Sequence, residues 1–229
     1  MFLIKIKSLK INYTNHSHLS FDLWLTLIKS NPEFKSKRNL LFKDFFDVDT
    51  TIEKVNDVVR YYDALCNNIN ERTGLNIDTY EIYYLILSAL NVNINDYDTT
   101  KLELFYKETE LLFLKYKPEL LYDNIPQLFK EITQQEKTIN LLSNTAFIKG
   151  NTLRKILSHY ELDSFFKFQI YSDEVGLSKP NNEIFQMVFN QANEIKPITK
   201  KGILHVGDNI VADYNGAINF GFDAHLLKL

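Results

Sequence analysis

The C-terminal half of the chain alternates short apolar runs of β type with helical stretches, and this alternation restricts the fold more than any other feature. "TINLLS" (138–143), "FQIYS" (168–172), "GILHVG" (202–207) and "DAHLL" (223–227) are the runs, and "HLSFDLWL" (18–25) supplies a fifth nearer the N-terminus. Strands separated by helices require right-handed crossovers and a parallel sheet covered on both faces. Ligands of such sheets sit at the carboxyl ends of the strands. Between the first and second runs, from about Asn31 to Leu121, apolar residues such as Leu102, Phe105, Tyr106, Leu112 and Phe113 recur at helical spacing. "YEIYYLILSAL" (80–90) is apolar on nearly every side, which suits the centre of a helical bundle better than a subunit contact. Gly74 is the one glycine before position 150, so tight loops concentrate in the C-terminal part. The expected architecture is a Rossmann-like parallel α/β core, residues 1–28 and 122–229, interrupted by an α-helical domain, residues 29–121.

Charge and cysteine content narrow the function classes. The 26 basic and 29 acidic residues are spread without a dominant block, so neither nucleic acid nor an anionic membrane is an expected partner. Lysines 5, 7 and 10 interrupt the apolar residues of the opening segment, which therefore does not read as a signal peptide. Met1 to Asn15 reads as a short extra strand or a loose arm. Cys66 is the single cysteine, which excludes an internal disulfide and a thiolate metal cluster and makes the cytoplasm the default compartment. The oligomeric state is not legible.

The residues just past the strands carry the chemistry. Asp22 and Thr26 follow the first, Ser143 and Asn144 the second, Lys179 lies in the loop after the third, and Asp208 and Asp213 follow the fourth. Each has a bland reading: an Asp after a strand caps a turn, "SNT" is ordinary turn chemistry, Lys179 precedes a proline at a helix start, and Asp213 suits a helix N-terminus. Together, opening on one sheet edge, they could hold a divalent cation and a phosphoryl group. Mg²⁺ takes carboxylate, carbonyl, phosphate and water oxygens and lets an anionic nucleophile approach an anionic substrate.

The order of the set resembles the haloacid dehalogenase-like superfamily of hydrolases. "DLWLT" (22–26) matches the family's D-x-D-x-T motif, Ser143 its Ser/Thr, Lys179 in "SDEVGLSKPNNEIF" its Lys, and Asp208 and Asp213 in "HVGDNIVADYNGA" its acidic pair. The position of the insert is similar to that of the helical cap between the first two motifs. The resemblance implies that Asp22 attacks phosphorus to form an aspartyl-phosphate, which water hydrolyses. It further implies that Ser143 and the Asn144 amide hold the phosphoryl oxygens together with Thr26, and that Lys179 neutralises the nucleophile and the transferring group. Asp22, Asp208 and the Trp24 carbonyl would ligate Mg²⁺, with Asp213 in support. A small phosphorylated metabolite is the implied substrate. Gly207 is expected to permit the tight turn that presents Asp208.

The match breaks at Trp24. Family phosphatases carry there a second Asp that protonates the leaving alcohol and then activates water, whereas indole has one N–H and no group that titrates near neutral pH. Leu25 also replaces the usual glycine. Three readings compete: a phosphohydrolase with good leaving groups or an acid or base from the cap, a metal-independent 2-haloacid dehalogenase-like hydrolase, and a phosphometabolite or partner binder with turnover lost. Family dehalogenases carry an aromatic residue in place of the second Asp but lack the usual acidic pair, so Asp208 and Asp213 favour the phosphoryl reading. Ser30, Lys35, Lys37 and Arg38 stand where the chain enters the insert and read as solvated groups before ligand-facing ones. His205 on its apolar run reads as a satisfied core histidine, and His159 has no metal spacing.

Overall fold

The computed structural model describes residues 8–228. Along the chain come β1 (His18–Phe21), β2 (Ile28–Lys29) and four helices, α1 (Pro32–Phe45), α2 (Ile52–Thr73), α3 (Thr79–Ala89) and α4 (Thr99–Lys115). Then follow β3 (Glu119–Leu120), α5 (Ile125–Gln134), β4 (Thr138–Ser143), α6 (Gly150–His159), β5 (Phe166–Tyr171) and α7 (Ser172–Val175). The chain closes with α8 (Asn182–Ile195), β6 (Ile203–Gly207), α9 (Gly216–Phe220) and β7 (Asp223–Leu226).

Five strands form one parallel sheet in the order β5-β4-β1-β6-β7. The central strand, β1, is buried along its whole length. Side chains alternate across the sheet, as the pleat demands. Leu19, Phe21, Ile139, Leu141, Leu204 and Val206 pack on one face with Phe129 of α5 and Leu153, Ile156 and Leu157 of α6. Leu142, Ile170 and Ile203 pack on the other with Ile184, Phe185 and Val188 of α8 and Phe220 of α9. The alternate positions of the central strands are polar: His18, Ser20, Asn140 and His205 are all buried. Those polar positions lead toward the strand ends, where Asp22 lies.

The α/β class and the five long runs are as the sequence predicts, with two differences. The first run stops as a strand at Phe21 because the amides of Leu27 and Ile28 turn back to the Leu23 carbonyl, at 2.8 and 3.1 Å. Where the chain leaves toward α1 and returns from α4, β2 and β3 pair antiparallel, Ile28 opposite Leu120 and Lys29 opposite Glu119. Four residues in two pieces give no periodicity to read. At the N-terminus residues 1–7 lie outside the described residues, and 8–15 form no strand. Leu9 instead docks on Asn124, its N–H donating to Oδ1 at 2.7 Å and its carbonyl accepting from Nδ2 at 3.0 Å.

The four helices build their own aromatic core from Phe42, Phe46, Tyr83, Phe105 and neighbouring aliphatic residues. Side chains cap their starts: Asn31 accepts from the Glu33 amide ahead of Pro32, and Asp78 with Glu81 closes a capping box. Tyr83 and Ile86 of the apolar α3 are buried, consistent with a place at the bundle centre. Phe147, from the loop after β4, inserts into this core, while Phe34 and Phe113 pack into the sheet's.

Candidate active site

Asp22 is held at the exit of β1 by its own N–H, which donates to the Val206 carbonyl at 2.9 Å. The residue is 6% exposed. The Lys179 ammonium, almost wholly buried, donates to Asp22 Oδ1 at 2.7 Å, Asp213 Oδ1 at 2.6 Å and the Leu142 carbonyl at 2.9 Å. All three ammonium protons are thereby used. The Lys179 backbone is fixed by Asn144, whose Oδ1 accepts from the Lys179 N–H at 2.8 Å and whose Nδ2 donates to its carbonyl at 3.0 Å. The loop after β5 is thus locked to the end of β4.

Asp213 is buried and fully engaged: Oδ2 accepts from the Asn209 amide at 3.0 Å, and Oδ1 is also 3.2 Å from His205 Nε2. His205 Nδ1 lies 3.0 Å from Ser20 Oγ. Burial holds the imidazole below its ordinary pKa, so the neutral ring donates from Nε2 to Asp213 and accepts at Nδ1 from Ser20. His205 is the satisfied core histidine the sequence suggests, but its partner belongs to the site. Pairing of Ser20 with His205 across β1 and β6 is the signal that could have found it.

Asp22, Asp208 and Asp213 each present a carboxylate oxygen within 4.8 Å of the other two. Burial raises Asp22 to about 7, with Lys179 opposing and Asp213 and Asp208 reinforcing the rise. Burial, then Asp213, also raises Asp208. Burial pushes Asp213 up too, but Lys179 and the His205 hydrogen bond outweigh it and hold the carboxyl below its usual range. For Lys179 the two carboxylates outweigh burial and raise its pKa. Three carboxylates around one ammonium leave a negative excess that a divalent cation would neutralise. Mg²⁺ sets oxygens about 2.0–2.1 Å from itself, hence up to about 4 Å apart across the ion, and one oxygen from each of the three carboxylates lies within 4.8 Å of the other two. The donor set fits.

The other expected residues divide. Asn144 and Trp24 line the same cavity as Asp22, Lys179, Asp208 and Asp213. Trp24 is half-buried, tilted against Phe113 with ring centroids 6.2 Å apart. Ser143 and Thr26 are fully buried and do not line it. The Ser143 hydroxyl donates to the Asn144 carbonyl at 3.1 Å, and Thr26 Oγ1 has no hydrogen-bond partner among the described residues. Gly207 has a different reason from the one the sequence suggests: its φ is not positive, but a Cβ there would lie 2.2 Å from Asp213 Cγ. Its bare backbone admits the Asp213 carboxylate. Ser30 and Lys35 line the cavity, and Lys37 lies over the Tyr116 ring. Arg38 corrects the solvated reading, for it is buried and lines the cavity as well. Several cavity residues escaped the sequence reading, among them Asn209, and Asp63 and Glu71 of α2; Glu71 Oε1 accepts from Asn209 Nδ2.

A family model described as haloacid dehalogenase-like hydrolase matches residues 18–221. The chain belongs to this family. Over 195 residues the hydrolase is 29% identical to the glyceraldehyde 3-phosphate phosphatase of Pyrococcus furiosus, covering 77% of this chain and 76% of that one. A 93-residue stretch is 27% identical to a hydrolase of Schizosaccharomyces pombe but spans 39% of that protein's length and 40% of this chain. Among solved structures, the magnesium-bound HAD-hydrolase YfnB of Bacillus subtilis aligns with a TM-score of 0.65 at 22% identity, over 93% of this chain and 88% of that one. That likeness is one of fold, a parallel sheet with flanking helices. Among the described residues no helix is long and apolar enough to cross a membrane.

Proposed function

We propose that the hydrolase is a Mg²⁺-dependent phosphatase of a small phosphorylated metabolite in the cytoplasm, with Asp22 as nucleophile and residues 29–121 as a cap over the site. The observation that carries the reading is the buried Lys179 ammonium shared by Asp22 and Asp213, with Asp208 beside them. Asp22, Asp208 and the Trp24 carbonyl would hold the ion, with Asp213 anchoring Lys179 in support. The cation supplies neutralisation of charge between nucleophile and phosphate. Lys179 engages Asp22 Oδ1, leaving Oδ2 to attack phosphorus. The phosphorus–ester oxygen bond breaks and the leaving alkoxide takes its proton from water. Water then attacks the aspartyl-phosphate, the bond to Asp22 breaks, and inorganic phosphate leaves with the carboxylate restored. The Asn144 amide would hold phosphoryl oxygens. Ser143, bonded to the Asn144 carbonyl, would reach them by turning its hydroxyl, and Thr26 would support the turn from behind. A dehalogenase has no use for Asp208 beside its nucleophile.

Hydrolysis of p-nitrophenyl phosphate with and without Mg²⁺, run beside Asp22→Asn, tests this. The wild type is expected to turn over only with the metal and the variant not at all. A folded Asp22→Asn that keeps the activity, or a wild type that releases halide from 2-haloacids without metal, would overturn it.

A further inference from the structure

Arg38 of α1 is 7% exposed and lines the cavity that holds Asp22. Arginine is seldom buried without a carboxylate, yet no carboxylate among the described residues lies within 4.0 Å of it. Its guanidinium is nevertheless held in place. One face lies on the Phe147 ring, 4.2 Å from its centroid, and Nε and Nη2 donate to Asn39 Oδ1 at 3.1 and 3.0 Å. Asn39 is itself oriented, its Nδ2 donating to Asn56 Oδ1 at 2.8 Å. The side edge of the guanidinium is therefore occupied by a neutral amide. The end edge, formed by Nη1 and the second Nη2 proton, has the fork that takes two oxygens of a carboxylate or phosphate. Lys35, one turn earlier, adds positive charge to the cavity wall, while Asp63 and Glu71 are the acids facing it from α2. Glu71 is already engaged by Asn209, and Asp63 accepts from Asn67.

We infer that Arg38 is a specificity residue that binds a second anionic group on the substrate, so that the substrate class is phosphate esters carrying a further carboxylate or phosphate. This rests on the phosphatase reading for the first phosphate only. A buried guanidinium with no carboxylate in contact among the described residues and a cavity of about 380 Å³, toward the small end of ligand sites, together select a compact molecule that carries a second anionic group besides the transferred phosphoryl. A phosphate ester of a neutral sugar or alcohol would leave the end edge of the Arg38 guanidinium without an anion.

Calorimetry on the intact protein, in excess Mg²⁺, with methylphosphonate, phosphonoacetate and methylenebisphosphonate separates the cases without needing turnover. The carboxylate or the second phosphonate should tighten binding about 10- to 100-fold over methylphosphonate, as for a hydrogen-bonded charge pair; the tighter of the two names the second group. Arg38→Gln should remove the advantage. Should that variant fail to fold, Asn39→Asp keeps Arg38 but gives it an internal carboxylate, and should reduce the advantage too. Equal affinity for the three probes in the wild type, or an advantage that survives both folded variants, would overturn the inference while leaving the phosphatase reading intact. Arg38-dependent binding in a protein that hydrolyses no phosphate ester would sink that reading and leave this one standing.

Discussion

Trp24 stands on the cavity wall where an acid or base would be useful, and its indole offers neither. A positioned acid or base contributes about 10²- to 10⁴-fold, so the proposed phosphatase reaction should be slow, most of all toward alkyl esters whose leaving group needs a proton. Trp24→Asp should raise turnover of an alkyl phosphate more than that of an aryl phosphate, read as the ratio of their kcat/KM values. Since Trp24 is only half-buried, its loss should cost less than the ~3–5 kcal/mol typical of a core tryptophan. No gain on either ester in the folded variant would mean that Trp24 shapes the pocket instead. Next to it, Leu25 has φ of 56° and is 46% exposed. A left-handed L-residue costs about 1–2 kcal/mol, offset partly by the ~0.5–1 kcal/mol of added chain entropy in glycine. Leu25→Gly should therefore raise stability by about 0.5–1 kcal/mol, measured by urea denaturation; a loss would show that the side chain packs. Asp22, Lys179, Asp208 and Asp213 were legible because spacing after strands survives without coordinates. Arg38 was not, because whether a charge on a helix is buried depends on what lies over it, here Phe147 from another part of the chain.

At the scale of elements, β1 and β4 are joined by more than their ladder. His18 Nδ1 lies 2.6 Å from Thr138 Oγ1 and Nε2 2.9 Å from Asn140 Oδ1, so the ring accepts from the hydroxyl and donates to the amide oxygen. Burial lowers its pKa from 6.5 to about 4, with the Asn140 hydrogen bond opposing. Between those values the unfolded chain binds a proton that the folded chain refuses, so stability rises with pH across the window. The contribution is whole above pH 6.5, falls as the pH drops toward 4, and amounts to about 3 kcal/mol over the window. His18→Gln should flatten the urea midpoint between pH 4 and 6.5 relative to wild type; an unchanged slope would place the titrating group elsewhere. The five sheet strands were legible because their short β-type runs alternate with helical stretches, the pattern of a parallel sheet with crossover helices. β2 and β3 were not, since two residues carry no period, and the buried polar positions of the sheet show up only when strands are set side by side.

The whole molecule couples the helical insert to the sheet core through side chains that cross between them. Phe147 lies in the insert's aromatic cluster, and Phe34 and Phe113 lie in the sheet's. Polar links run beside them: Lys149 Nζ to Asp78 at 3.2 Å, Thr79 Oγ1 to the Ala146 carbonyl at 2.6 Å, and Ser172 Oγ to Asn76 Oδ1 at 2.7 Å. The most buried link is a relay. The Lys149 N–H donates to Tyr106 Oη at 3.0 Å, the Tyr106 hydroxyl then donates to Thr152 Oγ1 at 2.8 Å, and Thr152 donates to Glu110 Oε1 at 2.6 Å. It joins α4 to the start of α6, near the loop that carries Asn144. Such interlocking should make insert and core melt as one unit. Tyr106→Phe removes the hydroxyl but keeps the ring, leaving the Lys149 N–H without an acceptor and Thr152 without a donor. The cost of unsatisfied partly buried groups, about 1–3 kcal/mol, corresponds to a fall of roughly 2–10 °C in Tm for a chain of this size. Calorimetry should record one transition in wild type and variant alike, displaced as a whole. If Tyr106→Phe instead splits the endotherm, or shifts only part of it, residues 29–121 fold independently and these crossing contacts serve to close the insert over Asp22 rather than to hold the molecule together.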